Sequence, residues 1–142
     1  MNLESILEMW KKDAEIDEVQ LDEASRDSAK LHSKYLDLYS VAKIKQKDLE
    51  LKFKVILRDK FKHYNGKLSQ EEIDHKGWEY DPLDGLTVLK GDLDKWYDAD
   101  EVIQDHQRKM AYNGEVVNTL KEILDNIKWR HQNIKNMIEW RK

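Results

Sequence analysis

Between Ile103 and Ile138 apolar residues return every seven positions in two interleaved rows, and few conformations can use such a pattern. Ile103, Met110, Val117, Leu124, His131 and Ile138 form one row; His106, Asn113, Leu120, Ile127 and Ile134 form the other. These are the a and d positions of a helix that buries one long seam. Asp98 stands three residues before Glu101 as a capping pair, and only Gly114 interrupts the stretch, so the pattern predicts a helix over about 99–140.

A seam of this length needs a partner of similar length, and the chain contains one. From Glu18 to about Tyr64 there is neither proline nor glycine. Ala24, Ser28, Leu31, Tyr35, Leu38, Ala42, Leu49, Phe53 and Ile56 keep three- and four-residue spacing there. Asp17 and Gln20 provide a capping pair, and Asn65-Gly66 a C-terminal stop, so a second long helix is expected over about 18–64. Leu3, Ile6, Leu7 and Trp10 predict a short amphipathic helix before it.

From Leu68 to Tyr97 the Gly, Pro and Asp residues break any helical period, leaving an irregular acidic connector whose only strand-like stretch is Leu86–Leu89. The fold class is therefore all-α. It divides into an N-terminal helical region (1–67), the connector (68–97) and a C-terminal helix (98–142) within one structural domain.

The seam has two readings. It packs on the first long helix within one chain, or it joins copies of the chain. Val102, Val116, Ile123 and Met137 widen the face to a third row. The polar seam residues His106, Asn113 and His131 are of the kind that set register and subunit number in coiled coils. Both features favour a homo-oligomer assembled through Ile103, Met110, Val117, Leu120, Leu124, Ile127, Ile134 and Ile138.

Most catalytic chemistry lacks its residues. The chain has no cysteine, which excludes disulfides, thiol catalysis and thiolate metal sites. The five histidines are scattered without ligand spacing, the acidic run from Asp92 to Glu101 lacks the glycine of a calcium loop, and no glycine-rich loop precedes a helix. No catalytic residue, metal or cofactor is expected. The N-terminus has neither a signal-peptide core nor a membrane span, so a soluble, intracellular protein is expected.

What remains is charge. The formal net charge of -4 conceals strong segregation, with nine Lys/Arg against three Asp/Glu over 41–67 and three against twelve over 68–105. A concentrated basic stripe creates a local field that a phosphate backbone can follow. Lys47, Lys54, Arg58, Lys60, Lys62 and Lys67, with Tyr64 as the stacking ring, are the candidate contacts to single-stranded nucleic acid. The competing reading is a solvated helix face on a coiled-coil scaffold that binds no nucleic acid.

Three segments carry a resemblance. Trp10-Lys11-Lys12-Asp13-Ala14-Glu15-Ile16-Asp17, His32-Ser33-Lys34-Tyr35-Leu36 and the stretch from Val55 to Lys67 resemble the UvsY family, the recombination mediators of T4-like bacteriophages. That resemblance implies a ring-like homo-oligomer of six or more subunits that binds single-stranded DNA. It also implies help in loading a RecA-like recombinase onto strands covered by the phage single-strand-binding protein, during recombination, repair and replication in the host cytoplasm. The basic signature of the family falls on Arg58, Asp59, Lys60, Phe61, His63 and Tyr64, so DNA-contact roles are carried over to Arg58 and Lys60. Asp59 between the two cations and His63 in place of a tyrosine depart from the family pattern.

Overall fold

The computed structural model describes residues 1–16 and 20–140. Among these residues five α-helices run in the order α1 (Leu3–Asp13), α2 (Leu21–Tyr64), α3 (Gln70–Lys76), α4 (Leu93–Asp98) and α5 (Glu101–Trp140), with a 3-10 turn at Lys90–Asp92. Among the described residues there is no strand, and Leu86 and Leu89 are exposed. Strand character at Leu86–Leu89 has no neighbouring strand to pair with, so the stretch stays extended loop.

One expected helix end moved. Asp17 of the expected α2 capping pair lies outside the described residues, and the Gln20 carbonyl accepts the Ala24 N–H at the start of α2. Asp98 closes α4 rather than opening α5. Asp100 is the α5 cap, its carboxylate accepting the Ile103 N–H at 3.0 Å.

The connector is more regular than its glycines and proline suggest. Ser69 accepts the Glu72 N–H and starts α3, and Gly77 ends it in the left-handed conformation at φ 70°. Those two residues are an N-cap and a C-cap with only seven helical residues between them, too short a span for any periodicity to register.

Packing also divides the chain differently from the three-part reading. One compact unit comprises Met1–Gln46 with Tyr112–Lys142, and the other comprises Lys47–Ala111. Each long helix contributes to both.

In the first unit, α1, the N-terminal half of α2 and the C-terminal half of α5 share one core. Ile6, Tyr35, Ala42, Val116, Leu120, Ile123, Leu124 and Ile127 are buried together, with Trp10, Leu31, Leu38 and Val117 against them. A second cluster joins Leu21 and Ala24 of α2 to Ile134 of α5, with Met137 and Ile138 packed against it. The α5 seam is thus filled by the chain's own helices.

Of the eight residues expected to join subunits, Leu120, Leu124, Ile127 and Ile134 are buried in these clusters, and Ile103 is buried in the second unit. Met110, Val117 and Ile138 are half-buried. The polar seam residues serve the same end. Asn113 donates to the Ala42 carbonyl at 3.0 Å and to the Gln46 side chain at 2.8 Å. In the second unit His106 donates to the Leu49 carbonyl at 2.7 Å and stacks on Phe53. His131 is exposed. Two of the three residues read as setting subunit number are instead hydrogen-bond donors between the two long helices.

Arg130 anchors the end of α1. Its guanidinium donates to the carbonyls of Asp13 and Glu15, near the helix end where carbonyls lack partners. The Asp13 carboxylate meanwhile accepts from Tyr35 at 2.8 Å and from Lys34 at 2.7 Å. Burial opposes charge on Asp13, but these bonds and the nearby Lys34 and Arg130 cations outweigh it and lower its pKa.

Candidate nucleic-acid interface

The basic half of α2 lies in the second unit, and the structure separates its cations into two groups. Lys47, Lys54, Arg58, Lys62 and Lys67 are exposed, whereas Lys60 is buried. The reason is the helix period. Lys54, Arg58 and Lys62 follow one another at four-residue intervals along one face, and Lys60 points to another.

Lys60 sits 3.0 Å from the Asp100 carboxylate, with the side chains of the pair only 5% and 6% exposed. Its ammonium also lies 3.9 Å from the centre of the Trp78 ring, a contact strengthened where water is excluded. A cation held in this way cannot reach a phosphate. In this fold Lys60 is thus an internal cation, in contrast to the DNA contact that the resemblance carries over to it.

Tyr64 is diverted similarly. Its hydroxyl donates to Asp100 at 2.7 Å, and its ring faces Trp96 and Tyr97 at a tilt, so it is not the free stacking platform that the sequence suggests. Burial, then the Asp100 carboxylate, push its pKa well above the usual tyrosine value. Burial also works against charge on Asp100, yet the Tyr64 hydroxyl, the Ile103 N–H and Lys60 prevail and hold its pKa below the ordinary 3.8. Lys60, Tyr64, Trp78, Trp96 and Asp100 line one cavity of ≈ 500 Å³.

His63 is buried beside the same cavity, bonded through Nε2 to the Glu79 carbonyl and tilted against Trp78. Where the family pattern has a tyrosine, this chain thus has a core residue. Asp59 is occupied as well. Its carboxylate accepts from Lys76 of α3 at 3.1 Å and from Arg58 at 3.2 Å, which brings α3 against the basic helix. Burial opposes its ionisation, but those two cations overcome it and lower its pKa.

The Arg58 side chain is 64% exposed, so its bond to Asp59 is a weak surface pair that a phosphate can replace. Lys54 and Lys62 form no ion pair among the described residues. A groove beside this face is lined by Arg58 and Lys62 of α2 and by Glu71, Glu72 and Lys76 of α3. Lys54 is exposed and lies outside this lining.

Trp78 and Asp100, which decide the fate of Lys60 and Tyr64, were missed by sequence reasoning. They lie 18 and 40 residues beyond Lys60, and no local spacing relates them to it. Among the described residues no helix is long and apolar enough to cross a membrane.

A curated relative, "Recombination protein uvsY" of Enterobacteria phage T4, is 31% identical over 94 residues, covering 66% of this chain and 67% of the relative. A crystal structure of the bacteriophage T4 recombination mediator protein UvsY superposes with a TM-score of 0.85 at 26% identity, covering 99% of this chain and 96% of that one. A second crystal form of the same protein gives 0.83 at 24% identity over 96% of each chain, a likeness of fold. The family profile described as "Recombination, repair and ssDNA binding protein UvsY" matches residues 9–142, and the chain belongs to that family of phage recombination proteins.

Proposed function

We propose that this protein is a recombination mediator that holds single-stranded DNA on the exposed α2 row of Lys54, Arg58 and Lys62, with Lys47 and Lys67 extending the track. The observation that carries this reading is the split among the cations. Lys60 is paired and caged, while its neighbours at four-residue spacing remain exposed on one face. Phosphate contacts of this kind are individually weak and independent of base sequence, as a mediator that must accept any strand requires.

The protein acts without catalysis of its own. A homo-oligomer, as a ring of six or more, multiplies the single row by raising its effective concentration on one strand. The partners are a RecA-like recombinase and a phage single-strand-binding protein, in the cytoplasm of the infected host. With the α5 seam filled within the chain, subunit contacts fall to exposed apolar residues elsewhere, Val41 and Ile44 on α2 among them.

The test is charge reversal. Arg58→Glu with Lys62→Glu weakens binding to oligothymidylate and lowers the slope of log affinity against log salt by about 0.7 for each phosphate that is no longer neutralised, with helicity unchanged. Unchanged strand affinity and slope would refute the interface. A wild-type protein that assembles but ignores the oligonucleotide would be a scaffold.

A further inference from the structure

The last four turns of α5 carry two tryptophans that the fold does not use. Trp129 and Trp140 are 69% and 91% exposed, on a helix whose opposite face is buried through Ile127 and Ile134. Tryptophan rings, apolar with one polar edge, are enriched where a protein meets a partner.

Their spacing is specific. Eleven residues are about three helical turns, so both rings leave α5 in nearly the same direction, about 16 Å apart along it. Between them the surface is amide, not apolar. Gln132, Asn133 and Asn136 are exposed, and Gln132 donates to Asn136 at 3.1 Å. A helix-packing seam would place aliphatic side chains at these positions.

Lys121, Lys128 and Lys135 run beside the tryptophans at seven-residue intervals, about 10 Å apart. All three are exposed, and none forms an ion pair among the described residues. From Asn126 to Trp140 the exposed charges are Lys128 and Lys135 against Glu139 alone. Rings that accept any base, amides that bond base edges and a line of cations for phosphates are the components of a single-strand platform.

We infer that the Trp129/Trp140 face of α5 is a second binding surface for single-stranded nucleic acid, holding bases by stacking while the α2 row holds phosphates. The inference rests on the mediator reading above. It adds a contact of different chemistry on a different helix. Stacking is insensitive to salt, so this surface retains a strand under conditions in which phosphate contacts weaken.

The experiment compares wild type, Trp129→Ala/Trp140→Ala and Arg58→Glu/Lys62→Glu for oligothymidylate affinity at low and high salt, with subunit number measured by sedimentation. Both tryptophans are exposed, so their replacement leaves the core intact. The tryptophan variant binds at least about tenfold more weakly at both salt concentrations and assembles as wild type does. Wild-type tryptophan emission falls on adding the oligonucleotide, and that quench disappears in the variant. Equal affinity of wild type and tryptophan variant overturns the inference and leaves the mediator reading standing. A changed subunit number with unchanged affinity also overturns it, assigning the rings to a second copy of the chain. Wild-type protein that binds no strand at all overturns both readings.

Discussion

Replacing Lys60 by methionine keeps most of the side-chain volume and removes the charge, which separates the two roles assigned to this residue. In the structure the ammonium is buried against Asp100 at 3.0 Å and over Trp78 at 3.9 Å. Breaking a buried ion pair by removing one partner costs about 3–5 kcal/mol, because the other charge is left uncompensated. Asp100 would keep its bonds from Tyr64 and from the Ile103 N–H, which places the loss at the low end. The methionine stem and sulfur retain part of the packing on Trp78. A destabilisation of about 3 kcal/mol results. With a urea dependence of about 2 kcal/mol per molar, the unfolding midpoint falls by about 1.5 M.

The assay pairs urea unfolding with strand binding under folding conditions. Lys60→Met lowers the midpoint while the folded protein binds oligothymidylate with nearly wild-type affinity, because the exposed row is untouched. Arg58→Glu/Lys62→Glu does the reverse. A Lys60→Met midpoint within about 0.3 M of wild type, together with clearly weaker strand binding, would refute the reasoning and return Lys60 to the DNA surface.

Two further outcomes test the packing. Leu120→Ala opens a cavity in the core shared with Tyr35 and Ala42, and costs about 3 kcal/mol. Since that core lies within one chain, the loss is the same at low and high protein concentration; a loss that shrinks as concentration rises would place the seam between subunits. Asp13, Asp59 and Asp100 all have pKa values below 3.8 in the fold. A carboxylate whose pKa is lowered by folding stabilises the protein above its unfolded value and loses that contribution as pH falls through the folded value. The thermal midpoint is therefore insensitive to these groups above about pH 5 and drops below about pH 4. Asp100→Asn flattens that acid limb, and an unaltered limb would exclude Asp100 as a contributor.

The helices of this protein are determined locally, and the sequence shows them. An uninterrupted stretch to Tyr64 and a seven-residue repeat from Ile103 to Ile138 leave no other regular structure able to bury their apolar rows. The resemblance carried by the segment from Val55 to Lys67 points in the same way to the recombination family. Short elements were harder to read. The α3 helix was marked only by Ser69, Glu72 and Gly77, because seven residues do not complete enough turns for a period.

What surrounds each side chain was decided by tertiary structure alone. A heptad row looks the same whether its partner is another chain or another part of its own, so the sequence could not assign Leu120 and Asn113 to an internal seam. A lysine in a basic run likewise looks like any other lysine. Lys60 became structural only because the fold brings Asp100 and Trp78, 40 and 18 residues away, onto its side of α2. Helical periodicity is a property of neighbours in the chain, whereas burial and pairing belong to neighbours in space.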